Sequence, residues 1–217
     1  MKSKHSINLH KGLTFVFILA LMAIYQNYSI GAWVYLSLHG TYGLLWLLKD
    51  QLYPDKKWEQ EIPIGLGIIT FFILSLYWVA PFILISSGSE PAPPLIAAAI
   101  SLNLMGVFLH YVSDAQKYYT LKYKPGLITE GFFARSRNPN YLGEIFIYTS
   151  FAMLAQHWLP FLILGLLIAV VFIPNMIKKD KSLSRYSEFE NYLGISGLLF
   201  PKLWSTNSKN LIESSKQ

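Results

Sequence analysis

The chain reads as an all-α, polytopic membrane protein: one helical bundle of about six transmembrane helices, with both termini cytoplasmic. Three observations predict this. Of 217 residues, 53% are hydrophobic and only 14% charged, whereas a soluble domain carries about 25% charge. The charges are clustered, so residues 12–48, 62–89 and 145–177 contain no Lys, Arg, Asp or Glu, and each run is long enough for at least one span of about 20 residues. On a six-span count, all 18 Lys and Arg fall in the N-terminus, the 49–61 loop, the 114–137 connection and the tail. That places them on one side and satisfies the positive-inside rule.

Met1–Lys11 is basic and polar, and the apolar Leu13–Tyr25 after it superficially resembles a signal peptide. No small-residue cleavage site follows and another apolar stretch does, so an uncleaved first span is predicted at about Leu13–Ile30. A tight turn near Asn27–Gly31 leads to span two, about Ala32–Leu48. The polar loop Lys49–Trp58 precedes span three, about Ile62–Ser86. The Gly, Pro and Ser cluster Ser87–Pro94 breaks the chain. Span four follows at about Leu95–Val112 and continues as helix past Asp114. After the polar connection Gln116–Ser136 comes an uncharged run of 33 residues, 145–177. As one straight helix it would extend about 50 Å, against a bilayer core of about 30 Å. It must fold back, and Gln156-His157-Trp158-Leu159-Pro160 is the predicted hinge between spans Tyr141–Ala155 and Pro160–Met176. The tail is predicted to hold an amphipathic helix from Leu183 to Tyr192 before a Ser- and Lys-rich last dozen residues. The whole, 1–217, reads as one integral membrane domain.

Composition also excludes chemistry. Without cysteine there is neither a disulfide framework nor a thiol nucleophile. The net charge of +6 sits in short segments flanking apolar runs, which suits topology and anionic lipid headgroups rather than nucleic acid. There is no Gly-rich phosphate loop, HExxH or GxSxG, and histidines 5, 10, 39, 110 and 157 are too scattered for a metal site.

The polar residues that remain gather at helix ends. Asn138-Pro139 reads as N-cap and first helical residue. Asn140 and Glu144 then share one face, beside Tyr141. Arg135 and Arg137 precede a helix N-terminus that already attracts anions. Snorkelling cations explain the arginines without function, but a carboxylate one turn into an apolar helix is costly unless something binds there. His110, Asp114 and Lys117 line one face at the end of span four, as a site or as an ordinary salt-bridged helix end. His39, Tyr42, Trp46 and Lys49 form a helical stripe. Its buried imidazole and phenol either serve as proton donors to a lipid-soluble substrate or are a satisfied core histidine and aromatic belt. Leu183, Tyr186, Phe189 and Tyr192 stripe the tail, to lie on a membrane surface or lid a pocket.

The motifs Asp114-x-Gln116-Lys117, Gly126-Leu127-Ile128, Gly131-Phe132-Phe133 and Arg137-Asn138-Pro139-Asn140-Tyr141-Leu142-Gly143-Glu144 resemble the membrane steroid 5-alpha-reductase-like proteins, and more closely their compact microbial members. The tail Asp180–Tyr192 with Gly197-Leu198-Leu199-Phe200-Pro201 fits the same group, so the resemblance covers about 110–203. Upstream, His39-Gly40-x-Tyr42-Gly43 also matches. Isoprenylcysteine carboxyl methyltransferases and phospholipid N-methyltransferases share this C-terminal architecture. They usually carry His where Asn138 stands, and a Glu pair where Lys179-Asp180 stand. The resemblance implies an NADPH-dependent reductase of a C=C bond in a lipophilic, steroid- or isoprenoid-like substrate. Asp114, Asn138, Asn140, Tyr141 and Glu144 would orient the cofactor, and Lys117, Lys122, Arg135 and Arg137 would neutralise its phosphates. Arg185 and Tyr192 would contribute from the tail, and Tyr42 or His39 would polarise the carbonyl or deliver the proton. The reductases' N-terminal Glu–Tyr pair has no counterpart in this chain. The alternative is a S-adenosylmethionine-dependent methyltransferase of the isoprenylcysteine carboxyl or phospholipid type at the same site. Expected partners are the lipophilic substrate and membrane lipids, with no nucleic acid and no obligate protein partner. The expected location is a bacterial inner membrane or endoplasmic reticulum, with the cofactor site facing the cytoplasm.

Overall fold

Helices form wherever the charge-free runs lie, and no strand forms among the described residues. The structure, a computed structural model, describes residues 1–203; the Ser- and Lys-rich last dozen lie outside them. Helix α1 (Ser3–Tyr25) starts well before the apolar run, because Ser6, His10, Lys11 and Thr14 are buried along it. It ends at Gln26 in the left-handed region (φ 51). The Ser29 hydroxyl caps α2 (Ile30–Tyr35) by accepting from the Ala32 N–H at 3.3 Å. A π-helical turn, Leu36–Gly40, then carries the chain without a break into α3 (Thr41–Leu52). Next come α4 (Ile64–Ser75), a 3-10 turn (Leu76–Trp78) and α5 (Val79–Ser87), which stops at Gly88 with φ 65.

Helix α6 (Pro93–Tyr123) runs past Asp114 as expected. Pro139 opens α7 (Pro139–Ala155), where its missing N–H costs nothing. The predicted fold-back occurs at Gln156 (φ 49) and His157. There Gln156 Nε2 donates to Ser89 Oγ at 2.7 Å. The last long helix is α8 (Trp158–Leu167), a π turn (Ile168–Phe172) and α9 (Ile173–Leu183). The tail departs from expectation: Leu183–Tyr192 is not one helix. The chain turns after α9, where Ser184 Oγ donates back to the Lys181 carbonyl at 2.9 Å, and α10 spans Phe189–Ile195. A hydroxyl bonded to its own preceding turn competes with helix propagation.

Among the described residues, four stretches are long and apolar enough to cross a membrane: Ser3–Tyr25, Ile64–Ser87, Pro93–Tyr123 and Trp158–Leu183. Large apolar side chains face outward on them, Phe72 at 67% exposed and Val170 at 70%, while His10, Lys11, His39 and Asn103 are buried. Polar groups inside and apolar ones outside is the arrangement that lipid as solvent imposes. The fold fits an integral membrane protein.

The chain packs as two compact units. The first comprises residues 1–107 and 145–166, and the second comprises 108–144 and, of the described residues, 167–203. In the first, α1 and α3 approach so closely that a Cβ on Gly43 would run into the Lys11 carbonyl oxygen. In the second, the turn before α7 is held by Gln116 of α6, whose Oε1 accepts from the Phe132 N–H and whose Nε2 donates to the Glu130 carbonyl, both at 3.0 Å. Gly131, at φ 57, lies against that amide. This is the structural content of the Gln116 and Gly131-Phe132-Phe133 motifs.

Candidate functional site

In the second unit the segment before α7 is tied to the tail through its backbone. The Arg137 N–H donates to the Gly197 carbonyl, and the Gly197 and Lys202 N–H groups donate to the Arg135 carbonyl, each at 2.9 Å. Side chains reinforce this. Ser136 Oγ donates to the Leu199 carbonyl at 2.7 Å, and Asn138 Nδ2 to that of Leu198 at 2.8 Å. Arg137 is buried, with Nε on Asp180 Oδ2 at 2.9 Å and Nη1 on the Ser196 carbonyl at 2.7 Å. From α10, the Tyr192 hydroxyl donates to the Phe133 carbonyl at 2.6 Å. Burial pushes this phenol up to about 12.

A cavity of about 80 Å³ opens among these elements, lined by Lys117, Phe133, Arg137, Lys179 and Tyr192, with Leu127 and its neighbours as apolar wall. That is room for several waters or one small anionic group. Three cations face it, and their partners differ. Lys117 lies 3.5 Å from the buried Asp114, and Arg137 is paired with Asp180. The Lys179 ammonium instead donates to two neutral oxygens, the Arg137 carbonyl at 2.6 Å and Asn138 Oδ1 at 3.2 Å. It has no carboxylate at ion-pair distance among the described residues. Beside the cavity, at the start of α7, Asn140 accepts at its carbonyl from His110 Nδ1 at 3.1 Å. Tyr141 packs its ring on Phe172 at 4.9 Å and bonds Asn175, and the charges of Glu144, Lys117 and Asp114 all act on it.

The expected cofactor residues thus divide. Asp114, Lys117, Arg137, Asn138, Asn140, Tyr141, Glu144 and Tyr192 are gathered in the second unit about this cavity and the start of α7. Arg135, Lys122 and Arg185 are exposed and do not line the cavity. Lys122 lies over the Tyr118 and Tyr123 rings at 5.9 and 5.6 Å, and Arg185 stacks on Tyr186 at 5.0 Å. Asn138 and Arg137 hold the tail as well as facing the site. Lys179 is a residue that sequence reasoning misses as a site residue. In the sequence it stands out only as a departure from a Glu pair, and a cation in place of that pair is itself the signal.

Tyr42 and His39 belong to the first unit. Both are wholly buried, and the stripe His39, Tyr42, Trp46, Lys49 is the buried face of the π turn and α3. Lys11 of α1 stands 4.3 Å from the centre of the Tyr42 ring. Its ammonium donates to the Tyr148 hydroxyl at 2.6 Å.

Comparison with known proteins bears on the second unit and much of the first. Residues 50–193 match the family described as a protein of unknown function, DUF1295, a family associated with steroid 5-alpha-reductase-like proteins. An uncharacterized protein of Schizosaccharomyces pombe is 49% identical over 39 residues, 18% of this chain and 14% of that protein. The similarity spans a small part of that relative's length. No solved structure matches. With 144 residues, 50 to 193, inside the family match, the chain belongs to the DUF1295 family.

Proposed function

We infer that the protein is a membrane-embedded, NADPH-dependent reductase of a C=C bond in a lipophilic, steroid- or isoprenoid-like substrate. The observation that carries this reading is the cavity faced by Lys117, Arg137 and Lys179, in which the hydrogen-bond partners of Lys179 among the described residues are neutral oxygens. Carbonyl and amide oxygens hold the Lys179 ammonium at the cavity, and charge-assisted bonds to phosphate are about twice as strong as neutral ones. The donor set fits a phosphate group, and the remainder of a dinucleotide would extend beyond a space of this size. Bound there, NADPH would supply a hydride.

Asp114 and Glu144 offer carboxylates, and Asn140 an amide, for the hydroxyl and carboxamide groups of such a cofactor. Tyr192 and Arg137 tie the tail to the segment before α7. Six passes, with both termini and this site on the cytoplasmic face of a bacterial inner membrane or endoplasmic reticulum, accord with the placement of Lys and Arg.

Thermal stabilisation of the detergent-purified protein tests the reading. NADPH at 100 times its Kd should stabilise by about 2.7 kcal/mol, and Lys179→Ala should weaken the response. Stabilisation by S-adenosylmethionine alone would overturn the reductase assignment.

A further inference from the structure

Lys122, Arg135 and Arg185 are exposed and stand outside the cavity. Lys124, Lys178 and Lys181 are exposed in the same unit. None of these cations has a carboxylate at ion-pair distance among the described residues. The unit's exposed carboxylates, Glu130, Glu188 and Glu190, are fewer. In the first unit, by contrast, Lys2 lies 2.8 Å from Glu59, which also pairs with Lys4, and Lys4 lies 3.6 Å from Asp50.

The unpaired cations continue apolar surfaces that face outward. Through the π turn and α9, the exposed Val170, Ile173 and Ile177 (58%) give way at once to Lys178 and then Lys181. Arg185 follows, stacked on Tyr186 at 5.0 Å. Along α6 the exposed Phe108 and Val112 lead to Tyr119, Leu121, Lys122 and Tyr123, with Lys124 just past the helix end. Tyr123 is 76% exposed, and Lys122 lies over its ring at 5.6 Å. In the tail, the Lys202 N–H donates to the Arg135 carbonyl, and Phe200 and Leu203 on either side of it in sequence are exposed. Leu121 of α6 and Leu183 of α9 line the same cavity as Arg137, so these segments meet at one end of the unit.

Rings at headgroup depth with cations reaching past them are the signature of a membrane–water boundary. The helix dipole favours a cation in a last turn, which accounts for Lys122 and Lys181. It does not account for Tyr123, Phe200 and Leu203, large apolar surfaces left bare beside cations on separate segments.

We propose that this end of the second unit is a docking surface for anionic phospholipid. Lys122, Lys124, Lys178 and Lys181 hold headgroup phosphates, flanked by Arg135 and Arg185, while Tyr119, Tyr123, Ile177 and the exposed tail residues rest on the acyl and glycerol region. The occupant is a lipid rather than a soluble anion because cation and apolar surface are continuous, so that headgroup and chain are met together. Basic clusters of this size beside membrane helices recognise acidic lipids. The surface is independent of the reductase reading, since Lys117, Arg137 and Lys179 of the cavity take no part in it.

The test counts lipid retained by the detergent-purified full chain. The protein is incubated with equal amounts of phosphatidylglycerol and phosphatidylcholine of identical acyl chains, freed of unbound lipid by gel filtration, and its extract quantified by mass spectrometry. Each cation at a membrane surface is worth about fivefold for an acidic lipid, so two on one headgroup predict a wild-type preference of about tenfold or more. The double variants Lys122→Gln with Lys124→Gln, and Lys178→Gln with Lys181→Gln, should each lower the ratio, and all four changes together should bring it near one. These side chains are exposed, so the variants keep the fold. Lys2→Gln with Lys4→Gln removes as much charge from a neutralised network and should leave the ratio unchanged. A wild-type ratio near one, or an equal loss in the Lys2 and Lys4 variant, would overturn the surface. Inorganic phosphate replacing chloride at the same ionic strength should leave the phosphatidylglycerol bound; its displacement would mark a site for free anions and overturn the lipid assignment.

Discussion

The two units bury positive charge in opposite ways. In the first, the Lys11 ammonium is surrounded by ring faces and touches a phenol oxygen. In the second, Arg137 and Lys179 sit in a web of carbonyl, amide and carboxylate oxygens drawn from the start of α7, from α9 and from the tail. Rings attract a cation through their quadrupoles while remaining apolar, so they tolerate its replacement by a hydrophobe. Oxygens that have lost their cation are left buried and unsatisfied. The first arrangement can change its occupant; the second is committed to its own structure.

One substitution made in both places gives the sharpest comparison. Arg137→Met leaves Asp180 and the Ser196 carbonyl without the guanidinium and should cost about 3 kcal/mol or more. Lys11→Met exchanges an ammonium for a thioether that packs well on rings and should change stability by about 1 kcal/mol or less. Equal losses in chemical denaturation would erase the distinction. Gly43→Ala probes whether the first unit is rigid around Lys11. The new Cβ meets backbone, the Lys11 carbonyl oxygen, so overpacking should cost about 2 kcal/mol, where an adaptable helix pair would absorb it.

Tyr192→Phe sharpens the second unit. It leaves the Phe133 carbonyl without its phenol donor, at about 1 kcal/mol, and it alters the alkaline limb of stability. The phenol rises on folding from 10 to about 12 through burial. Its contribution is therefore complete below pH 10 and is lost as pH climbs through 12. The Phe variant should lack that loss in melting curves recorded across this window.

Glu59→Gln should have the smallest effect. Hydrogen bonds from Lys2 (2.8 Å) and Lys4 hold the Glu59 carboxyl down to about 2. The stabilisation is therefore present above pH 4.5 and lost as pH falls through 2. In the Gln variant the melting temperature should fall less between pH 5 and pH 2, with little change at neutrality, because the pair is solvent-screened.

Much of the helical frame was legible because it follows from local rules. Charge-free runs are helices, Pro139 starts one, and the Gln156–His157 turn breaks a run too long for one bilayer. The stripe His39, Tyr42, Trp46, Lys49 was visible from spacing, and it is buried. The early start of α1 was not legible, because Lys11 looks like a flanking cation until Tyr42 and Tyr148 are brought around it from distant segments. Helix propensity also gave no warning that the tail would turn at Ser184, where a hydroxyl bonds the preceding carbonyl. At the candidate site, residue types within Arg137–Glu144 could be named, but their partners could not. Asp180, Ser196 and Leu198 lie far along the chain, and only folding shows that Arg137 and Asn138 grip them. For the same reason Arg135 and Lys122 resembled Arg137 in sequence, although neither reaches the cavity.

The dependence of Arg137 on the carbonyl of Ser196, and of Asn138 on that of Leu198, sets an order of events during synthesis. When α7 leaves the ribosome, its N-terminal arginine has nothing to hold until some sixty further residues have been made. The guanidinium must wait among water or lipid headgroups. Membrane insertion of the late helices and completion of the cavity are then separate steps.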